Sequence, residues 1–554
     1  MSMSTKETLI KTCENCKKEF TIDSGDLDLY EKVGLRVPGR CTTCRFKQYF
    51  AFSTFGKFRK GTSDLTGESF ITVLPANPRF PIYKSKEWWS DQWDPMKFGQ
   101  PYDRTRPFFH QLKELQEKIP RPHQVGENNK NCDWCEDAWE SKNCYLSRAF
   151  YLCENLNYGY RVIKTKDSFD MVYCFDMQKS YSCLFCHNSF NLNFSENSRD
   201  CVDSYFLFDC RNCQNCFMCW DLRNKRYCIR NKQYTKEEYE KELAKVNLGS
   251  YKNIQDLKNE FENILKNEAV HRENFNLKTA NSIGNYMTNC DKCVNVFSWE
   301  NSQNCRNCLR GLNAKDCIDE AFTWNTENSG DNGAVNGGYQ LKHSAASVGR
   351  YSEYLDLCVE VEYCFGCVGL RNKKYCILNK QYTKEEYEKL REQIIEDMGK
   401  SYGDFLPYSM GICAYNHSNG MLYFPNTTKE EIVRQDGYWS GEDLSSGDGI
   451  SSLELPDEVR ETDASICIQA LICPKTHFRF NISQTEFEFH KNKNFALPRE
   501  HFDRRMLEPA SKMVVMERYP YKCFYCQKDI MAYYPPEWGY KKIACEECYK
   551  QNIA

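Results

Sequence analysis

The sequence predicts a mixed, β-rich fold: small paired-cysteine modules in tandem at both ends, flanking a two-part, cysteine-laddered β-solenoid with helical insertions. Three observations predict it. C-x2-C pairs stand near each terminus. The two ends repeat one another at a shift of 460 residues. The middle of the chain repeats itself, and its cysteines keep a nine-residue step.

The cysteine pairs are Cys13–Cys16 with Cys41–Cys44, separated by 24 residues, and Cys523–Cys526 with Cys545–Cys548, separated by 18. Four thiolates give closed tetrahedral coordination, the structural form of a zinc site, with no position left for a substrate. Two zinc ions per chain are therefore expected. Each would supply folding energy of order 10 kcal/mol or more.

Shifted by 460, residues 13–89 fall on 473–549 without a gap. Phe20 meets Phe480, Ile22 meets Ile482, Leu29 meets Phe489, Pro38 meets Pro498 and Pro75 meets Pro535. Each end thus carries the same two modules. The ligands are unevenly distributed: the second N-terminal copy has Ser63, Thr66, Ser85 and Trp88 in the cysteine positions. The first C-terminal copy has Cys473, Thr476, His501 and Arg504. These two degenerate copies are expected to keep their fold through apolar positions alone.

In the middle, "LRNKRYCIRNKQYTKEEYEK" (222–241) recurs as "LRNKKYCILNKQYTKEEYEK" (370–389). Each copy closes a cysteine-rich stretch and enters a helix through a capping box, Thr235 with Glu238 and Thr383 with Glu386. Ile254, Leu257, Phe261 and Leu265 continue the first helical segment as one apolar face. Nine cysteine pairs are spaced by nine, among them Cys135–Cys144, Cys201–Cys210, Cys210–Cys219 and Cys367–Cys376. The intervening three-residue rungs hold Cys, Ser and Leu interchangeably, as in short stacked turns sharing inward slots.

The stretch "CRNCQNCFMC" places Cys210, Cys213, Cys216 and Cys219 three apart. A zinc cage, an iron–sulfur site and a packed column of thiols are the three readings. The ferredoxin run needs C-x3-C-P, and Trp220 follows here. Leu and Met in equivalent slots favour packing, with cysteine acting as a small hydrophobe.

Between the N-terminal modules and the solenoid, Phe108, Leu112, Leu115 and Ile119 space as one helix face, with Pro107 in its first turn. Aromatics such as Trp88, Trp89 and Trp93 are expected to glue modules to solenoid; stacking on nucleic-acid bases is the alternative. The domain reading is a metal module at 1–50, a degenerate module at 51–92, an aromatic linker and helix at 93–131, and the first solenoid part at 132–233. A helical insertion at 234–285, the second solenoid part at 286–382, and a helix with acidic linker at 383–465 follow. A degenerate module at 466–515 and a metal module at 516–554 close the chain.

Composition bounds the function. The 554 residues carry a net charge of −3, so the molecule as a whole is not an electrostatic nucleic-acid binder. No apolar run is long enough to span a bilayer, and the first residues lack a signal-peptide core, so a cytoplasmic location is expected. Thirty-three cysteines in that setting point to metal sites and buried thiols rather than disulfides. Residues 1–60 hold twelve Lys/Arg against seven Asp/Glu, so Arg40 and Arg45 beside the second knuckle are candidate phosphate contacts. Residues 427–463 are the reverse, eleven acidic against three basic, and read as an exposed linker.

The stretches "CENCKKEF…RVPGRCTTCR", "WWSDQWDPMKFGQPYDRTRPFFHQLKELQEKIPRP", "CRNCQNCFMCWDLRNKRYCIRNKQYTKEEY" and "ACEECY" carry a resemblance. The chain resembles the cysteine-rich zinc-ribbon/treble-clef proteins of candidate-phyla-radiation bacteria. Its N-terminal knuckles are similar to a zinc-ribbon domain of treble-clef type at Phe20, Pro38, Cys41, Cys44 and Arg45. The resemblance implies zinc at both quartets and implies no activity.

No H-E-x-x-H, Walker loop, G-x-S-x-G or G-x-G-x-x-G is present. Cys413, four residues before His417, reads as a buried structural thiol, with a nucleophile as the alternative. The expectation is a non-catalytic, zinc-stabilised scaffold recognising a protein or RNA partner. A nucleic-acid-binding zinc-finger protein is the alternative, and an iron–sulfur or redox protein a third. The sequence identifies no small-molecule substrate and no membrane association.

Overall fold

The computed structural model describes residues 7–160, 162–170, 178–441, 448–513 and 515–553. They divide into two compact units, Met1–Gln124 with Phe275–Ser440, and Val125–Asn274 with Gly441–Ala554. Each unit combines one solenoid with one module pair, and the combination is crossed. The N-terminal modules pack on the second solenoid and the C-terminal modules on the first. The acidic residues 427–463 are not wholly an exposed linker, since Ile432, Leu455 and Val459 are buried, and residues 399–440 before and within them belong to the first unit. Part of "SGEDLSSGDGISS", residues 442–447, lies outside the described residues.

Both solenoids turn once every twelve residues. Parallel ladder partners are offset by twelve, as in Val202↔Gln214, Cys216↔Cys228 and Val294↔Arg306. Each turn is built from three-residue steps. In 210–228 every third residue, Asn212, Asn215, Met218, Asp221, Asn224 and Tyr227, has a positive φ and bends the chain. Asn and Asp recur at these corners because their short polar side chains tolerate the left-handed region. The residue after each corner points inward. Cys210, Cys213, Cys216 and Cys219 are the inward residues of four successive sides, each 0 or 1 % exposed.

The nine-residue step coincides with a side-chain contact. An inward thiol donates to the carbonyl two residues back and to the carbonyl nine residues ahead. Cys210 Sγ reaches Phe208 O at 3.5 Å and Cys219 O at 3.6 Å. Cys135, Cys201, Cys219, Cys308, Cys358 and Cys367 repeat the nine-residue contact. Inward serines make the same backward bond, as Ser204 Oγ to Val202 O at 2.8 Å, and accept from the N–H twelve ahead, as from Cys216 at 3.0 Å. Cys and Ser share slots because each is small and supplies one short donor to a buried carbonyl of the solenoid backbone.

The repeated "LRNKxYC" segments end both solenoids alike. Strand Arg226–Ile229 folds back antiparallel on Lys232–Gln233, and Lys374–Ile377 on Lys380–Gln381. Asn231 and Asn379 then act as a last rung. The Asn379 side chain gives its N–H to Val368 O at 2.7 Å and accepts Val368 N–H at 2.9 Å. This blunts a sheet edge that would otherwise pair with another chain. Both capping boxes form at Thr235 and Thr383. The first helical segment is two helices, Lys236–Leu243 and Tyr251–Asn267, and the second buries the apolar face read from the sequence.

Candidate metal centres

The two cysteine quartets come together as expected. Within each, all four Sγ atoms lie within 4.8 Å of one another. Cys16 Sγ stands 3.8 Å from Cys41 Sγ, and Cys526 Sγ 3.9 Å from Cys545 Sγ. A tetrahedral ion with metal–sulfur bonds of about 2.3 Å sets its sulfurs about 3.8 Å apart, so the spacing fits.

The backbone builds both sites identically. The first pair sits on a knuckle closed by Cys13 N–H to Lys18 O at 2.8 Å and Lys17 N–H to Cys13 O at 3.0 Å, with Lys17 at φ 62°. At the other end Cys523 N–H meets Lys528 O at 2.8 Å and Gln527 N–H meets Cys523 O at 2.9 Å, with Gln527 at φ 60°. The second pair opens a helix: Cys41 caps Thr42–Phe50 and Cys545 caps Glu546–Asn552. That position favours thiolate through the helix dipole. Backbone N–H groups also aim at sulfur, Cys41 N to Cys13 Sγ and Cys545 N to Cys523 Sγ, both at 3.3 Å. The hydrogen bond from Cys44 lowers the Cys41 thiol to about 5. Burial raises Cys523, but N–H groups of Cys526 and Cys545 outweigh it and bring the thiol to about 6.

The second N-terminal copy keeps the knuckle without thiols. Ser63 N–H meets Glu68 O at 2.9 Å and Gly67 N–H meets Ser63 O at 2.8 Å. The Glu87 carboxylate stands in for the metal. It accepts from Ser63 Oγ, from Thr66 Oγ1 at 2.5 Å and from Lys84 N–H at 2.9 Å. His123 Nδ1 accepts Ser85 N–H at 3.0 Å, and burial lowers this imidazole to about 4, so it is neutral. Apolar positions alone therefore do not hold this copy, although Phe70, Leu74, Phe80 and Ile82 form its core. In the C-terminal copy Cys473 and His477 repeat the knuckle bonds, and His501 Nδ1 accepts Asp503 N–H at 3.2 Å.

Arg45 does not face solvent, contrary to the reading of a phosphate contact. It is 7 % exposed and bonds Asp319 Oδ2 at 2.6 Å and Tyr30 OH at 2.7 Å. A guanidinium buried against a buried carboxylate is out of reach of a nucleic acid. Its counterpart at the 460 shift, Arg505, pairs with buried Asp170 at 3.0 Å and Glu486 at 2.9 Å. These arginines pin each module to its solenoid. Arg40, partly exposed, donates to Gln48 Oε1 at 2.7 Å. The aromatic linker acts as glue: Arg371 of the solenoid lies over Trp88 and Trp93, 5.3 Å from each ring centre, and Phe108 packs on Tyr354 and Phe365.

The quartet Cys210, Cys213, Cys216 and Cys219 does not converge. Among the described residues, only the two terminal quartets bring three or more Cys, His, Asp or Glu ligand atoms together. Burial raises the Cys210 thiol, and its S–H, like those of Cys201 and Cys213, is turned to backbone carbonyls. Cys413 is buried, which pushes its thiol up to about 12 and leaves it protonated near neutral pH.

Glu87 and Asn157, which frames a cavity considered below, escaped sequence reasoning. No family model and no curated protein matches the chain. One solved structure, a provisionally named acetyltransferase from Desulfovibrio desulfuricans G20, shows 11 % identity over 42 % of this chain and 65 % of its own, with a TM-score of 0.10. That likeness carries no argument. No described helix is long and apolar enough to cross a membrane.

Proposed function

We propose that the chain is a zinc-stabilised, non-catalytic scaffold whose solenoid faces recognise a protein or RNA partner. The observation that carries this reading is the closed form of both quartets: four thiols each, seated on the modules that pin the solenoids. Zinc suits four sulfurs at this spacing, and with all four positions filled it organises structure rather than chemistry. The solenoids supply the surface. Tyr351, Tyr363 and Tyr375 stack at 4.8 and 5.2 Å along one partly exposed face, at twelve-residue intervals. Cross-linking of the full-length chain in a lysate of its source, with and without ribonuclease, tests the reading. Saturable cross-links on the tyrosine face, lost in Tyr351→Ala/Tyr363→Ala, support it. Cross-links unchanged in that variant, or substrate turnover abolished by Cys413→Ser, contradict it.

A further inference from the structure

The unit that contains the first solenoid has a cavity of about 510 Å3 that the scaffold reading does not use. It lies over the opening turns of that solenoid, in front of helix Gln484–Lys493. Its volume falls within the range of small-molecule sites, about 300–1,000 Å3.

One difference between the two units that leaves this space open is the residue facing the helix. In the first unit, Arg306 occupies the space before helix Ser24–Val33, bonding Asp26 at 2.7 Å and also Asp23. At the 460 shift, Asp23 and Asp26 become Ser483 and Glu486. The solenoid partners correspond as well. Asn307 faces Asp26 as Tyr158 faces Glu486, and Asp319 holds Arg45 as Asp170 holds Arg505. The residue in the place of Arg306 is Asn157, which reaches Ser483 Oγ at 3.1 Å and leaves the rest of the space open.

The lining is chemically specific. Asn131, Asn143 and Asn155 stack along one corner as an amide ladder, at 2.9 and 3.1 Å, ending on Asp167 at 2.6 Å. Each amide uses one N–H in the ladder, so each keeps a second N–H for a ligand. Asp133, half-buried Trp134 and Tyr145, 36 % exposed, border the ladder. Among the described residues, neither the Asp133 carboxylate nor the Trp134 indole N–H has a hydrogen-bond partner. Ser483 and Thr485 add hydroxyls from the helix. The lining holds no Lys or Arg. A phosphate or single-stranded nucleic acid calls for a positive groove, which is missing here.

We propose that this cavity binds a neutral polyhydroxylated ligand, a glycan. Amides and one carboxylate pair with vicinal hydroxyls, and the aromatic rings cover the C–H face of a sugar ring. The site is independent of both metal quartets. Its test is an array of immobilised neutral glycans probed with the full-length zinc-loaded chain, followed by calorimetry with the free oligosaccharide retained. The expected result is a Kd below about 1 mM that salt leaves unchanged. Trp134→Ala and Asn157→Arg, the second refilling the space as Arg306 does, should each weaken binding at least about tenfold. Asp133→Asn, a surface change with little risk to folding, should weaken it measurably. No glycan retained, or binding indifferent to all three substitutions, overturns the proposal. So does salt-sensitive binding of oligoadenylate at the same residues, which would make the site one for nucleic acid.

Discussion

Four copies of one knuckle stand in this molecule, and they are held in different ways. Two are closed by four thiols, one by the Glu87 carboxylate with Ser63 and Thr66, and one keeps a single buried Cys473. The backbone bonds are the same in all four. The knuckle is thus a property of the chain path, and what fills it decides how much of its stability depends on metal.

Metal removal should break the comparison most sharply. Stripping zinc, or Cys44→Ala, withdraws binding energy of order 10 kcal/mol. Hydrogen exchange should then rise across Thr42–Phe50 while helix Ser85–Trp89 of the degenerate copy keeps its protection. Equal loss in both would end the distinction. Acid should act similarly. A lowered thiol pKa keeps the sulfur anionic above that value, and its contribution is lost as pH falls through it. Zinc release, followed with a chromogenic chelator, is expected to rise as pH falls, because protons compete with the metal for the thiolates.

Next in size is Arg45→Ala. It leaves Asp319 buried without its partner, at a cost of about 3–5 kcal/mol in denaturant unfolding. Arg45→Met with Asp319→Leu should recover much of that. Glu87→Ala should cost about 1–3 kcal/mol by orphaning two hydroxyls, with no change in metal content. Burial raises the Glu87 pKa, but the hydroxyls of Ser63 and Thr66 outweigh it and hold it below the ordinary value. That contribution is present above the unfolded pKa and lost as pH falls through the lower, folded one. The smallest effect belongs to Cys210→Ala, about 1 kcal/mol from one lost thiol donor, again with metal content unchanged.

The modules were legible in the sequence because the C-x2-C pairs mark two of them and the 460 shift preserves the core positions of all four, placing the paired helices Ser24–Val33 and Gln484–Lys493 in register. The solenoid was legible as a repeat, but its turn was hidden. Cysteines mark the nine-residue thiol-to-carbonyl contact, whereas stacking follows the twelve-residue ladder. Corners filled by Met218 and Tyr227 further obscure the three-residue bend. The crossed assembly was not legible, since a repeat says which segments are alike and not which ones dock. Charge counting near Arg45 could not reveal its buried partner, which lies 274 residues away. Glu87 could not be singled out, because Glu547 occupies the same place in the four-cysteine copy.

The most direct measurement is native mass spectrometry of the full-length chain purified without oxygen. The account predicts two zinc ions and no iron, one ion lost in Cys44→Ala, the other in Cys526→Ala, and neither in Cys213→Ala. A third bound ion, stoichiometric iron, or a loss of metal in Cys213→Ala would contradict it and place metal chemistry inside the solenoid.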